Sequence, residues 1–308
     1  MNSIFMALSP IFFLILLGWI FKRIEFPGTS FWPMAEKITF YVFFPALLFL
    51  SLYRADFSEA RFWSLAFSVG GSMLAISLIM LVIRPLINIS DASFSSLFQG
   101  GLRPNTYVGI SAAFVFLGEP GLTLAAMVIA VMIPLANILS VAVVTRFGDN
   151  SNRGWKQAFH ALVTNPLIIA SLLGILANFT GLRLVLGTEE VVRILSQASL
   201  SLGLLAVGAG LRFHSLASNS IPVIWSSIFK LIFMPLLMGS AALWIGMGQD
   251  IVLIIVIFAS LPCGAAAYVM TRQLGGNLDL MASIITVQTV AAAAGMPLAV
   301  WIFSSLPF

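Results

Sequence analysis

Pro104 and Pro262 stand inside long apolar stretches, 158 positions apart, and each is followed by small or polar residues: Asn105 and Thr106 after the first, Cys263 and Gly264 after the second. Proline removes a backbone donor and clashes with the preceding turn, so a helix that carries it must bend or break. The second half of a broken helix starts with unpaired N–H groups at the positive end of its dipole, a place that stabilises a carboxylate without a cationic side chain. Asn105 can donate two hydrogen bonds to a carboxylate oxygen, and Gly264 allows the backbone a close approach. Capping of a kinked helix is the other role open to Asn105.

Charged residues narrow the chemistry. The acids Glu25, Glu36, Asp56, Glu59, Asp91, Glu119, Asp149, Glu189, Glu190, Asp250 and Asp279 all fall near the ends of apolar segments or between them. A carboxylate at mid-membrane would be costly and functional, so this placement argues against a carboxylate-based proton antiporter. It also removes the usual ligands of a sodium ion, although carbonyl, Asn and Gln oxygens remain. Arg103 and Lys230 are the bases that lie well inside apolar segments. Arg103 either draws an anion toward the proline break or snorkels to a lipid phosphate. Lys230 either partners a helix end or carbonyl, or serves as a substrate or proton-coupling group. Asn137, three positions after Pro134, and Gln288 are buried-amide candidates; contact with cargo and hydrogen bonding between helices are both open to them. His160 and His214 read as solvated, and two histidines with one cysteine leave no metal site or disulfide framework. No cofactor is indicated, and no phosphate-cradling glycine loop points to ATP.

These residues must be positioned by membrane-spanning helices. Hydrophobic residues make up 60% of the 308 and charged residues 8%, against roughly 25% charge in soluble domains; the mean hydropathy is +1.07. Windows of about 20 residues give ten segments, with cores near Ile4–Phe21, Ile38–Tyr53, Phe62–Ile83, Phe94–Leu117, Leu122–Thr145, Phe159–Phe179, Val191–Leu211, Ile221–Ile245, Ile251–Leu274 and Leu280–Phe303. Arg84-Pro85 and the run from Asn88 to Ser93 supply the turn before the fourth. Lys22-Arg23 follow the first segment and no basic residue precedes it, so it reads as an uncleaved helix with its N-terminus outside. Lys and Arg in alternate loops then divide nine inside (Lys22, Arg23, Lys37, Arg84, Arg146, Arg153, Lys156, Arg212, Arg272) against four outside (Arg54, Arg61, Arg183, Arg193). Both termini are therefore expected on the non-cytoplasmic side. The bases are scattered rather than gathered, which suits membrane orientation and not nucleic-acid binding, despite a pI near 9.6.

The polar stretch 147–157 divides the chain into similar halves, 1–146 and 158–308. Pro10 and Gly18 stand eight apart, as do Pro166 and Gly174; Pro104 to Gly118 spans fourteen positions, as does Pro262 to Gly276; Arg54 and Arg212 close the second and seventh segments. Five spans per half is an odd number, so the second half would enter the membrane from the opposite side as an inverted repeat. Paired interruptions in such halves mark a transporter's substrate site. Gly203, Gly208 and Gly210 in the seventh segment are suited to close helix approach.

The run Phe98-Gln99-Gly100-Gly101-Leu102-Arg103-Pro104-Asn105-Thr106-Tyr107-Val108-Gly109 resembles the Arg-x-Asn-Thr stretch of bacterial members of the auxin efflux carrier family. Leu261-Pro262, Ala267-Tyr268-Val269, Gly275-Gly276, Pro297-Leu298 and Lys230-Leu231 ahead of Pro235 are similar to that family's later segments. Pro104 at the variable position before Asn105, and Cys263-Gly264 after Pro262, depart from its usual pattern. The resemblance implies an all-α fold of ten transmembrane helices, five plus five inverted, with two proline-broken helices crossing at mid-membrane. It also implies a mobile transport domain and organic anions as cargo, auxin or malonate among them.

Residues and resemblance together lead to an expected carrier for a small organic anion, a carboxylate, working by elevator-like alternating access in a cell inner membrane. Pro104, Asn105, Thr106, Pro262, Cys263, Gly264, Asn137 and Gln288 would form its substrate site; Arg103 and Lys230 are the candidates for a charge or coupling role. Membrane lipid and the anion are the expected partners, with a homodimer left open. An anion channel and a sodium-coupled symporter of the bile-acid type are the alternatives. An enzyme is not expected, since no clustered nucleophiles, paired carboxylates or metal ligands share a face.

Overall fold

The computed structural model describes residues 2–28, 30–54, 59–147, 160, 163–182, 184, 187–212 and 220–306. Beyond Phe147, the expected linker lies outside the described residues, as do Asp56, Arg183 and His214. The described structure is all helical. It runs α1 (Asn2–Arg23), α2 (Phe31–Tyr53), α3 (Glu59–Ile83), α4 (Asp91–Leu102), α5 (Thr106–Phe147), α6 (Pro166–Phe179), α7 (Thr188–Ala209), α8 (Ile221–Trp244), α9 (Gln249–Ala259), α10 (Ala266–Leu274) and α11 (Leu278–Ser304). Among the described residues seven stretches are long and apolar enough to cross a bilayer, and α6 and α9 are shorter apolar helices.

The longest apolar stretch, Asp91–Val144, has 54 residues, far more than the ~20 that span the hydrocarbon. It must fold back, and Gly118 is where it does. Its φ of 60° and ψ of −140° interrupt α5, a conformation that glycine adopts at little cost. A Cβ placed on Gly121 would lie 2.2 Å from the Ala113 carbonyl oxygen, so the limbs 106–117 and 119–147 run back on each other. The second span begins at Phe31, earlier than the expected Ile38. Its first two turns are amphipathic, with Trp32 and Ala35 buried, and Glu36 lies half-buried within them, near the start of the span. A hydropathy average is blind to such a face.

Caps and prolines fix the helix ends. Asn165 Oδ1 accepts from Leu167 N at 2.9 Å, with Pro166 occupying the first helical position. Ser90 caps α4 and Asn277 caps α11 through Leu280 N at 3.0 Å. In α2 and α8 a π-turn, Thr39–Phe43 and Phe229–Phe233, lies just ahead of Pro45 and Pro235. Missing proline N–H groups loosen the ladder there.

Packing sorts the helices into two groups. In one, α1 packs along α7, and α2 along α6 and α7. In the other, α3, α4, α5, α8, α9, α10 and α11 pack on one another. Glycines set the closest approaches in the first group. A Cβ on Gly18 of α1 would meet the Leu205 carbonyl oxygen of α7 at 2.1 Å, and one on Gly174 of α6 would meet the Phe49 carbonyl oxygen of α2 at 2.7 Å. Gly18 and Gly174 are 156 positions apart, and so are Phe49 and Leu205. Gly208 is tighter still, since a Cβ there would lie 1.8 Å from the Ile15 carbonyl oxygen, whereas one on Gly210, at the end of α7, would meet nothing closer than 3.4 Å.

Candidate functional site

Both proline breaks are present and they touch. Helix α4 stops at Leu102, Arg103 is extended, and the next limb starts at Thr106; α9 stops at Ala259 and α10 starts at Ala266. Asn105 N donates to the Pro262 carbonyl at 2.8 Å, a direct main-chain bond between the breaks. A Cβ on Gly264 would lie 2.7 Å from the Pro104 carbonyl oxygen and 3.2 Å from Asn105 Cα. No other side chain fits there without moving backbone. The helical ends α4 and α9, and the starts of the 106–117 limb and α10, therefore converge on one buried spot, with Pro104, Asn105, Pro262, Cys263 and Gly264 all buried and Thr106 half-buried beside them.

Gln288 of α11 pins this crossing. Its Oε1 accepts from Cys263 N at 2.9 Å, and its Nε2 donates to the Gly100 carbonyl at 3.2 Å and to Ser226 Oγ at 3.1 Å. Pro104 lacks the N–H that would have bonded Gly100 four residues earlier, so the side-chain amide replaces a bond that proline removed. Ser226 Oγ in turn donates to the Leu97 carbonyl at 3.1 Å. Gly100 makes room for this, since a Cβ there would sit 2.4 Å from Ser226 Oγ. Gln288 is thus occupied on both sides by protein.

Three donors at the crossing are not so occupied. Asn105, 1% exposed, turns Oδ1 toward Val108 N at 3.5 Å as a cap, while its Nδ2 has no hydrogen-bond partner. Lys230, fully buried in the π-turn of α8, has none for Nζ. Arg103 is 9% exposed, and its Nη1 lies 3.2 Å from Met270 Sδ, a weak acceptor. Both cations are within electrostatic range of Cys263. The ion pairs among the described residues, Arg54 with Glu189, Arg84 with Asp91 and Arg193 with Glu190, leave Arg103 and Lys230 without a carboxylate. A buried charge without a partner is expensive, by several kcal/mol.

Asn137 is buried on the 119–147 limb and makes no hydrogen bond to the crossing among the described residues. Sequence reasoning missed Ser226 and Gln99. Ser226 stands four residues before Lys230, helical spacing that could have flagged it. Gln99, one turn before Arg103, donates to Thr271 Oγ1 at 3.1 Å and keeps a buried, unpartnered Oε1. Tyr107 also flanks the site, its ring 4.3 Å from that of Phe44 on α2 and against Gly203 on α7. It is one of the points where the crossing group meets the other helices.

Residues 154–302 match the family model described as Membrane transport protein, a stretch that contains the later segments on which the resemblance rests. An uncharacterized transporter of Methanothermobacter thermautotrophicus (strain Delta H) is 23% identical over 289 residues, which cover 92% of this chain and 93% of the relative. The apolar helices are those of a multi-pass membrane protein, and both similarities are to membrane transporters.

Proposed function

We propose that the chain is a secondary carrier for a small organic anion, a carboxylate, bound at the crossing of the two broken helices. One observation carries this reading: Asn105 Nδ2 and Lys230 Nζ are buried donors with no hydrogen-bond partner, Arg103 has only Met270 Sδ, both basic residues lie within electrostatic range of Cys263 at the second break, and no carboxylate pairs with them among the described residues. The N-terminal ends of the 106–117 limb and α10 add their dipoles to the same point. A carboxylate between them would accept from Asn105 Nδ2 and offset the cations in a low-dielectric setting, where such interactions are strong.

The halves 1–146 and 158–308 are read as an inverted repeat. The paired contacts of Gly18 with Leu205 and Gly174 with Phe49 support this, because residues 156 apart meet partners 156 apart, each glycine against a carbonyl oxygen. Two equivalent closures of one central site follow from such a relation. The group holding the crossing would move against α1, α2, α6 and α7 to expose the anion alternately, with both termini on the outside of a cell inner membrane. A sodium-coupled variant has one observation in its favour, the unpartnered Gln99 Oε1 beside Thr271.

Proteoliposomes holding the purified protein, offered labelled mono- and dicarboxylates under imposed proton, sodium and voltage gradients, test the reading. Saturable uptake with counterflow is expected, and a sodium requirement would select the coupled variant. Conductance at channel-like turnover, or no carboxylate uptake by correctly inserted protein, would overturn it.

A further inference from the structure

Helix α7 belongs with α1 and α2, yet the chain leaving it grips the crossing group at Arg212. Arg212 N donates to Thr286 Oγ1 of α11 at 3.0 Å, and the same hydroxyl lies 3.1 Å from the Arg212 carbonyl, to which it donates. The guanidinium carbon sits 5.2 Å from the centre of the Tyr268 ring on α10, with Nη1 3.4 Å from the Tyr268 hydroxyl. No carboxylate pairs with Arg212 among the described residues, and α7 and α10 share no extended packed face. Tyr268 lies in the first turn of α10, five residues after Cys263 at the break. Met270, which receives Arg103, is two residues on and so projects from the other side of the same helix. The start of α10 is held from both sides, by the crossing's own Arg103 and by Arg212 from α7.

We propose that Arg212 is a latch that ties α7 to the first turn of α10 and keeps the second break closed in this conformation. An exposed cation over an aromatic face is a contact that can be made and broken at modest cost, unlike a packed helix seam. This inference rests on the carrier reading, since a tie between two helix groups has consequences only where they part. Its test therefore reads opening rather than transport.

Cys263 is the sole cysteine and is fully buried at the break, so the rate at which N-ethylmaleimide labels it reports opening without any engineered probe. Arg212→Ala and Tyr268→Leu should each speed labelling of the purified protein by roughly five- to thirty-fold. The double variant should match either single one, because both remove the same contact. Arg212→Lys keeps a cation over the ring and should label nearly as slowly as the unsubstituted chain, and Arg212→Gln replaces the alanine variant if that does not fold. Unchanged labelling in the single variants, or effects that multiply in the double one, would overturn the latch. Slow labelling restored by Arg212→Lys in a protein that moves no carboxylate would uphold the latch while removing the carrier reading.

Discussion

Asn105 divides its amide between two tasks. Oδ1 faces Val108 N as a cap and Nδ2 has no protein partner, so the capping and binding roles that the sequence left open are compatible. Asn105→Ala should lower initial uptake at least about tenfold, the factor of one lost charge-assisted hydrogen bond, while the loss of the long cap bond shifts stability by about 1 kcal/mol or less. Uptake unchanged in inserted protein would sink that assignment. Lys230 calls for the opposite pattern. Replacing an unpaired buried cation by an apolar chain of similar length removes a desolvation cost, so Lys230→Met should raise or preserve the thermal midpoint and yet abolish concentrative uptake. A lower midpoint would mean that Lys230 has a structural partner after all. The Lys230 pattern was not legible in the sequence, which shows that Lys230 lies in an apolar segment but not that Nζ finds nothing there.

The breaks themselves were legible at the scale of the helix, because proline acts locally: it forbids the i to i−4 bond wherever it stands. Gly118 was visible as a boundary for a similar reason, as the limb lengths leave no other place to turn. What closes the breaks was not legible, since it depends on partners far away in the chain. Gln288 lies 188 positions from Gly100, whose carbonyl it takes over, and Gly264 is held to glycine by Pro104 across the crossing. Both cases give predictions about folding rather than cargo. Gly264→Ala forces a Cβ to 2.7 Å from a carbonyl oxygen and should cost about 1–3 kcal/mol, read as a lower midpoint in thermal unfolding. Gln288→Leu leaves Cys263 N and the Gly100 carbonyl without partners, about 1–3 kcal/mol for each buried group; a variant as stable as the parent would show that the pin is dispensable. The start of α2 was placed late for a different reason: its first turns bury one face only, so their average hydropathy is low.

For the whole molecule, the sequence supplied the spans and the offsets, while the division into two groups emerged only from packing. Close glycine contacts lock α1 to α7 and α2 to α6 backbone to backbone, which suits helices that stay together. The junction with the crossing group is different in kind. There Tyr107 meets Phe44 and Gly203 through rings and a bare backbone, and Arg212 meets Tyr268 through a cation on a ring face, side-chain contacts looser than the glycine seams, although the Arg212 main chain also bonds Thr286. If the groups move as bodies, a covalent bridge across this junction must stop transport, whereas a bridge within one group must not. In a Cys263→Ser background, the pair Phe44→Cys and Tyr107→Cys, joined by a short thiol-reactive cross-linker, should abolish uptake and recover it on cleavage of the linker. Ser68→Cys with Met238→Cys, which joins α3 to α8 inside the crossing group where Ser68 Oγ now donates to the Met238 carbonyl at 3.3 Å, should leave uptake within about twofold of its uncross-linked value. Full transport with the first bridge closed would mean that the anion reaches the crossing through a fixed pore, because a carrier whose two groups are tied together has no second conformation to visit.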